Sequence, residues 1–275
     1  MMMYYLIFLI FGLFWGSFLN NIAYRLTKGE SFFLNRSKCP FCGHVLKVKD
    51  LIPLLSFIFQ KGRCRYCQVK ISLRYPLTEI ITSLFTFSLA LFFKPLNSPY
   101  SFILFLFYFF LLSILFILAL YDFDTYLVDD RFLIFLFILG TLFIFYHFYF
   151  KLPLPDFSYL LNYFFILPSY LETIFSSFLL SFLFLFVYFI TKGEGLGFGD
   201  VKTVFTIGLF LKPGDAILFL VFSSLFGSVY GFILFLKEKN FKKPIPFIPF
   251  FFLGLLSVIL FGNYFTRIYL QLFNF

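Results

Sequence analysis

The chain has 275 residues, 61% of them hydrophobic and 13% charged, with a mean hydropathy of +0.97. Soluble domains carry about 25% charged residues, so a water-soluble globule is excluded and lipid is the expected solvent. The net charge of +9 sits in connecting segments without any groove-reading motif; it reads as topological charge and attraction to membrane lipid, with no nucleic acid partner.

The first apolar run, Tyr4 to Leu19, has no basic flank before it and no small-x-small cleavage pattern after it, and is expected to remain as a helix. Apolar runs lie near 4–24, 77–93, 100–121, 132–150, 170–190, 201–211, 216–236 and 247–262. A span needs about 20 residues, and the run at 201–211 is short. With the N-terminus outside and all eight runs crossing, the loops at 25–76, 122–131, 191–202 and 237–243 hold 18 Lys and Arg, and only Lys94, Lys151, Lys212 and Arg267 lie opposite. Cytoplasmic loops collect basic residues. If the run at 201–211 failed to cross, Lys237, Lys239, Lys242 and Lys243 would all lie outside, so eight spans are predicted, the sixth leaning on its neighbours.

The expected architecture is an all-α integral membrane protein of about eight transmembrane helices with a small cytoplasmic zinc-knuckle domain. Residues 1–24 form the first helix, 25–76 the cytoplasmic loop domain, and 77–275 a membrane domain of about seven helices. Segment 151–169, with Pro153, Pro155 and Pro168, reads as an irregular outer loop or surface helix. No internal repeat of fixed period is visible.

The loop domain carries all four cysteines. Cys39-Pro-Phe-Cys42-Gly43 and Cys64-Arg-Tyr-Cys67 are two CxxC knuckles separated by 21 residues. Each knuckle can place two thiolates on one tetrahedral ion, and four thiolates with no open position describe a structural zinc site. Two disulfides are the rival reading, disfavoured in a cytosolic loop where thiols stay reduced. His44 is adjacent and is read as a bystander. A loop of this size has little core, so the ion is expected to supply its stability.

Charges near membrane spans are costly and mark function. Asp122 ends the third run in Leu118-Ala119-Leu120-Tyr121-Asp122, followed by Asp124, Asp129 and Asp130; Asp200 ends the turn Gly195-Leu196-Gly197-Phe198-Gly199 and opens the sixth run. The third run heads inward and the sixth outward, so the two carboxylates are expected at one membrane depth. Two carboxyls about 3 Å apart cannot both ionise and share a proton, as in aspartic proteases. The ionised partner then takes a proton from water while the protonated one polarises a peptide carbonyl. Asp at a helix end also serves as a cap or a solvated charge. That reading is kept for Asp124, Asp129 and Asp130; for Asp122 and Asp200, spacing alone leaves both readings open.

Taken together, the motifs resemble those of the bacterial type IV prepilin peptidases. Gly16-Ser17-Phe18-Leu19-Asn20 with Arg25-Leu26 resembles the family's opening signature, and the two knuckles its cytoplasmic zinc motif. Ile71-Ser72-Leu73-Arg74-Tyr75-Pro76-Leu77-Thr78-Glu79 is similar to the segment leading into the second helix. Tyr121-Asp122 with Val128-Asp129, Gly195 to Lys202, and Pro244-Ile245-Pro246-Phe247 resemble the two aspartate regions and a late signature. Val128 stands where the family usually has Pro, Ile248 where Gly is common, and the interval between the aspartates holds a longer outer loop.

The resemblance implies an aspartic endopeptidase of the bacterial inner membrane, with Asp122 and Asp200 as the catalytic pair at the cytoplasmic face. Its partners would be type IV prepilin or pseudopilin precursors, which lose a short basic leader after a Gly and before a Phe-like residue. It also implies N-methylation of the new N-terminus with S-adenosylmethionine. Glu79 and Glu194 are read first as interface residues, the alternative being that their charge faces the sulfonium. A proton-coupled transporter using Asp122 and Asp200 is the competing class, although coupling carboxylates usually lie near the midplane. A structural subunit would tolerate loss of both acids, an intramembrane protease of presenilin type would leave the knuckles unexplained, and a peptidase lacking methyltransferase activity is the nearest variant.

Overall fold

The structure, a computed structural model, describes residues 2–30, 36–158, 168–239 and 244–272. Among the described residues the fold is helical, with α1 (Met2–Lys28), α2 (Leu55–Phe59), α3 (Arg74–Phe93), α4 (Pro99–Thr125), α5 (Asp130–Phe150), α6 (Ser169–Ile190), α7 (Phe198–Gly208), α8 (Pro213–Glu238) and α9 (Ile248–Leu272). Seven of these, all but α2 and α7, are long and apolar enough to cross a membrane. The chain divides into two compact units, Met1–Ser113 and Ile114–Phe275.

In the first unit α1 packs on α3 through Gly12 and Gly16. A Cβ at Gly12 would lie 2.5 Å from the Ser83 Cα, and one at Gly16 2.8 Å from the Glu79 Cα. Small residues four apart let helix backbones approach in lipid, where no hydrophobic force draws helices together. The contact is reinforced by the Ser83 hydroxyl, which donates to the Leu9 carbonyl at 2.7 Å. Overpacking such a contact costs about 1–3 kcal/mol. Gly16→Val is therefore expected to lower the thermal midpoint of the detergent-purified protein clearly, as scanning fluorimetry would show.

In the second unit α6 and α7 meet as closely. A Cβ on Gly208 would collide with the Ser177 backbone, and the Ser177 hydroxyl donates to the Phe205 carbonyl at 2.6 Å. That contact coincides with the end of α7. The sixth apolar run becomes a helix of 11 residues, which rises about 16 Å at 1.5 Å per residue, against a hydrocarbon core of about 30 Å. It is too short to span that core unaided, in keeping with the expectation that it leans on its neighbours: Lys202 near its start pairs with Asp130 at the head of α5, and Lys212 beyond its end pairs with Asp156 past the tail of α5. The chain then turns through Leu209 to Leu211, and Pro213 opens α8. Of the segments bearing on that expectation, Lys242 and Lys243 lie outside the described residues, as do 159–167 of the outer segment.

Candidate functional site

The two knuckles fold as copies of one another. The Gly43 N–H donates to the Cys39 carbonyl at 2.9 Å and the Cys39 N–H to the His44 carbonyl; Gln68 to Cys64 and Cys64 to Val69 repeat both bonds. The bridges Lys38–Val45 and Arg63–Lys70 close the two turns. Every pair is offset by 25 positions, a repeat the sequence does not display because only the cysteines and the turn geometry are shared. Both turns need a left-handed residue: Gly43 has φ +68°, and its counterpart Gln68 has φ +59°. A non-glycine residue there costs about 1–2 kcal/mol. Gln68→Gly is therefore expected to tighten metal binding about fivefold, read by competition with a chelating dye.

The four thiols are reduced, and the Sγ atoms of Cys39, Cys42, Cys64 and Cys67 all lie within 4.8 Å of one another, with Cys39 and Cys67 at 3.9 Å. Tetrahedral ligands at about 2.3 Å stand about 3.8 Å apart, so the donor set fits a single metal ion. The Val69 N–H favours the Cys67 thiolate, but burial and hydrogen bonds with Cys64, Cys42 and Cys39 outweigh it and push Cys67 up to about 12. His44 stacks on Tyr66 at 3.6 Å between ring centroids, a packing role. Tyr66 in turn donates to Asp50 at 3.0 Å, as does the Lys47 N–H, and Arg65 pairs with Asp50 at 3.1 Å. Burial opposes the Asp50 carboxylate, yet these partners hold it below the usual range. Its contribution to the module is present at neutral pH and is lost as pH falls below the ordinary Asp value of about 3.9.

Asp122 and Asp200 are both buried in the second unit, and the charge of Asp122 acts directly on Asp200. Asp122 stands in the last turn of α4, where its Oδ2 accepts the Ile248 N–H at 3.1 Å. Ile248 is the first residue of α9, so the late Pro244–Phe247 motif delivers a helix N-terminus, with its positive partial charge, to Asp122. Asp200 is the third residue of α7 and accepts the Gly197 N–H at 3.1 Å, closing the glycine turn on itself. Gly199 is required for a different reason: the Val128 side chain fills the space its Cβ would take, at 2.5 Å. The loop after α4 thus packs on the first turn of α7, an apolar contact that carried no signal in the sequence. Asp122 is thus held at a helix N-terminus and Asp200 on a turn.

The other acids singled out in the sequence have local duties or lie at the surface. Asp129 caps α5, accepting the Arg131 N–H at 2.9 Å, and the Arg131 guanidinium holds its carboxyl below the usual range. Asp130 pairs with Lys202, tying the start of α5 to α7. Asp124 and Glu194 are exposed. Glu79 is buried, and its Oε2 accepts the Leu54 N–H at 2.8 Å, with the Ser17 hydroxyl as a second partner. Leu54 itself has φ +58° and ψ −49°, and the Leu55 N–H reaches the Pro53 carbonyl at 2.6 Å, a strained γ-turn. A bond to a backbone N–H leaves no trace in the sequence, so Leu54 was not foreseeable.

Comparison with known proteins agrees with this organisation. The model described as the bacterial Peptidase A24 N-terminal domain matches residues 10–93, and that of the type IV leader peptidase family matches 109–232. A prepilin leader peptidase/N-methyltransferase of Bacillus subtilis (strain 168) is 30% identical over 267 residues, covering 96% of either chain. One from Aeromonas salmonicida (strain A449) is 29% identical over 98% of this chain and 94% of its own. One from Myxococcus xanthus (strain DK1622) is 48% identical over 79 residues, 29% of this chain and 24% of its own. No solved structure gives a significant match. With both domains matched in order and relatives aligned over almost the full length, the chain belongs to the type IV leader peptidase family.

Proposed function

We propose that this protein is a prepilin leader peptidase and N-methyltransferase, cutting the basic leader from type IV pilin-like precursors at the cytoplasmic face of the inner membrane. The observation that carries this reading is the burial of Asp122 and Asp200 within one unit, close enough for their charges to interact. Asp122, held as the carboxylate by the N-terminus of α9, takes a proton from water; Asp200, as the acid, donates a hydrogen bond to the scissile carbonyl oxygen. The attacking oxygen joins the carbonyl carbon, and the proton passes to the leaving amine as the peptide C–N bond breaks. The N-terminus is outside in this reading, which puts the knuckle domain and both aspartates where precursors arrive.

The ion of the cysteine module is proposed to be zinc, held by Cys39, Cys42, Cys64 and Cys67 in a closed structural site. S-adenosylmethionine is the proposed methyl donor, supported by the resemblance and by the names of the relatives. The two acids considered for its sulfonium do not build a site: Glu79 is committed to Leu54 and Ser17, and Glu194 lies on an exposed turn.

The test is incubation of the purified protein with a precursor carrying a Gly-Phe junction, read by intact mass. Loss of the leader and gain of one methyl group are expected. An unchanged precursor, together with proton uptake by reconstituted vesicles, would replace this reading with the transporter.

A further inference from the structure

The cysteine module presents an apolar surface that none of the described residues covers. Val48 is 84% exposed, Leu55 51%, Ile58 66% and Phe59 80%. Leu55, Ile58 and Phe59 share one face of α2 by their helical spacing, and the short 3-10 turn Val48–Asp50 packs beside α2. An exposed apolar group on a domain outside the spans marks an interaction site. Its surroundings are basic: residues 36–73 carry eight Lys and Arg against the single acid Asp50.

The depth of this surface is set by Glu79. Its carboxylate holds the N–H of Leu54, the residue just before α2, and its Cα touches Gly16 of α1. Glu79 is five residues into α3, about 7.5 Å beyond the start of that helix at 1.5 Å per residue. The buried Pro53 and the γ-turn at Leu54 therefore bring the start of α2 level with the second turn of a membrane-crossing helix. Amphipathic helices that lie in a membrane surface bury their apolar faces about 5–10 Å deep, which matches this height.

We propose that the segment Val48–Phe59 is an interfacial anchor whose apolar side chains enter the anionic lipid surface from which α1 and α3 emerge. The surrounding lysines and arginines face acidic headgroups, and Glu79 is the positioning residue that fixes the depth. Charge argues against the precursor as occupant, because a basic leader is repelled by a basic module. The same arrangement lets the metal act at a distance: by folding the module it also orients the anchor against the bilayer.

Phe59→Trp tests this in nanodiscs whose lipids carry bromine on the acyl chain near the headgroup, with the parent protein and its one tryptophan, Trp15, as background. In phosphatidylcholine mixed with phosphatidylglycerol, emission of the added tryptophan is expected to shift to the blue and fall about twofold relative to unbrominated discs. The shift and quenching should weaken in pure phosphatidylcholine at high salt. Adding Glu79→Leu should reduce quenching, whereas Glu79→Gln, whose amide oxygen accepts the same N–H, should preserve it. Water-like, unquenched emission of Phe59→Trp in the anionic discs overturns the proposal even if the Glu79 variants fail to fold. So does a blue shift that appears only when precursor is added, which would assign the surface to the precursor.

Discussion

Asp122→Asn and Asp200→Asn are each expected to reduce leader cleavage by roughly 10³-fold while leaving the protein folded and membrane-inserted. Asparagine separates the two roles open to these residues. Its side-chain oxygen can still accept the Ile248 N–H at position 122 or the Gly197 N–H at position 200, and Asn caps helices about as well as Asp. It cannot ionise, so it can neither take a proton from water nor share one with its neighbour. Because the two acids act as a unit, the double variant should be little worse than either single one. Asp124→Asn, at the exposed position two residues on, should cleave normally. A timed gel-shift assay on a purified precursor provides the measurement. Retention of more than about a tenth of the activity by either single variant would return the pair to a capping role.

The second large effect is expected from the cysteines. Cys64→Ser should drop metal content from about one ion per chain to near zero by elemental analysis, since three ligands leave a structural site open. The module has almost no core of its own: Phe41, Val48, Ile58 and Phe59 are exposed, and the knuckles are turns closed by isolated bridges. Metal binding supplies roughly 10–16 kcal/mol in comparable zinc peptides, far more than such turns provide. Loss of the ion should therefore expose Lys61, Arg63 and Lys70 to trypsin. Strong chelation of the parent protein should do the same, and readdition of metal should reverse it. Methylation is expected to fall further than cleavage, because both aspartates belong to the other unit.

What could be read from the sequence followed from how directly each signal maps onto geometry. Two CxxC pairs bring four sulfurs together almost by spacing alone, and the structure gathers them as expected. Long apolar runs became the seven candidate spans. The run at 201–211 was readable as short and reliant on its neighbours, but not which neighbour it meets, since the contact of Gly208 with the Ser177 backbone on α6 has no signal in the sequence. Asp129 was readable as a cap, since capping is local. The partners of Asp122 and Glu79 are the backbone amides of Ile248 and Leu54, 126 and 25 positions away, and a backbone amide has no letter of its own. Gln68 concealed the second knuckle's likeness to the first, since a left-handed turn usually announces itself with glycine.

The brevity of α7 bears on the bilayer around the protein. Asp200 stands near one end of that helix, and Lys212, which pairs with the Asp156 carboxylate at 3.2 Å, lies 12 positions further on. At helical rise the interval spans about 18 Å, well short of the roughly 30 Å of an ordinary hydrocarbon layer. The Lys212–Asp156 pair is partly open to its surroundings rather than sealed in the core. Lipid beside this flank must thin or water must dip inward to meet it, a local hydrophobic mismatch. Reconstitution into bilayers of rising acyl length should then slow the enzyme step by step, because each added methylene raises the strain of that pinch. A protein shaped in this way would also collect in the thinner regions of its membrane, so that its own outline helps to decide where precursors are met.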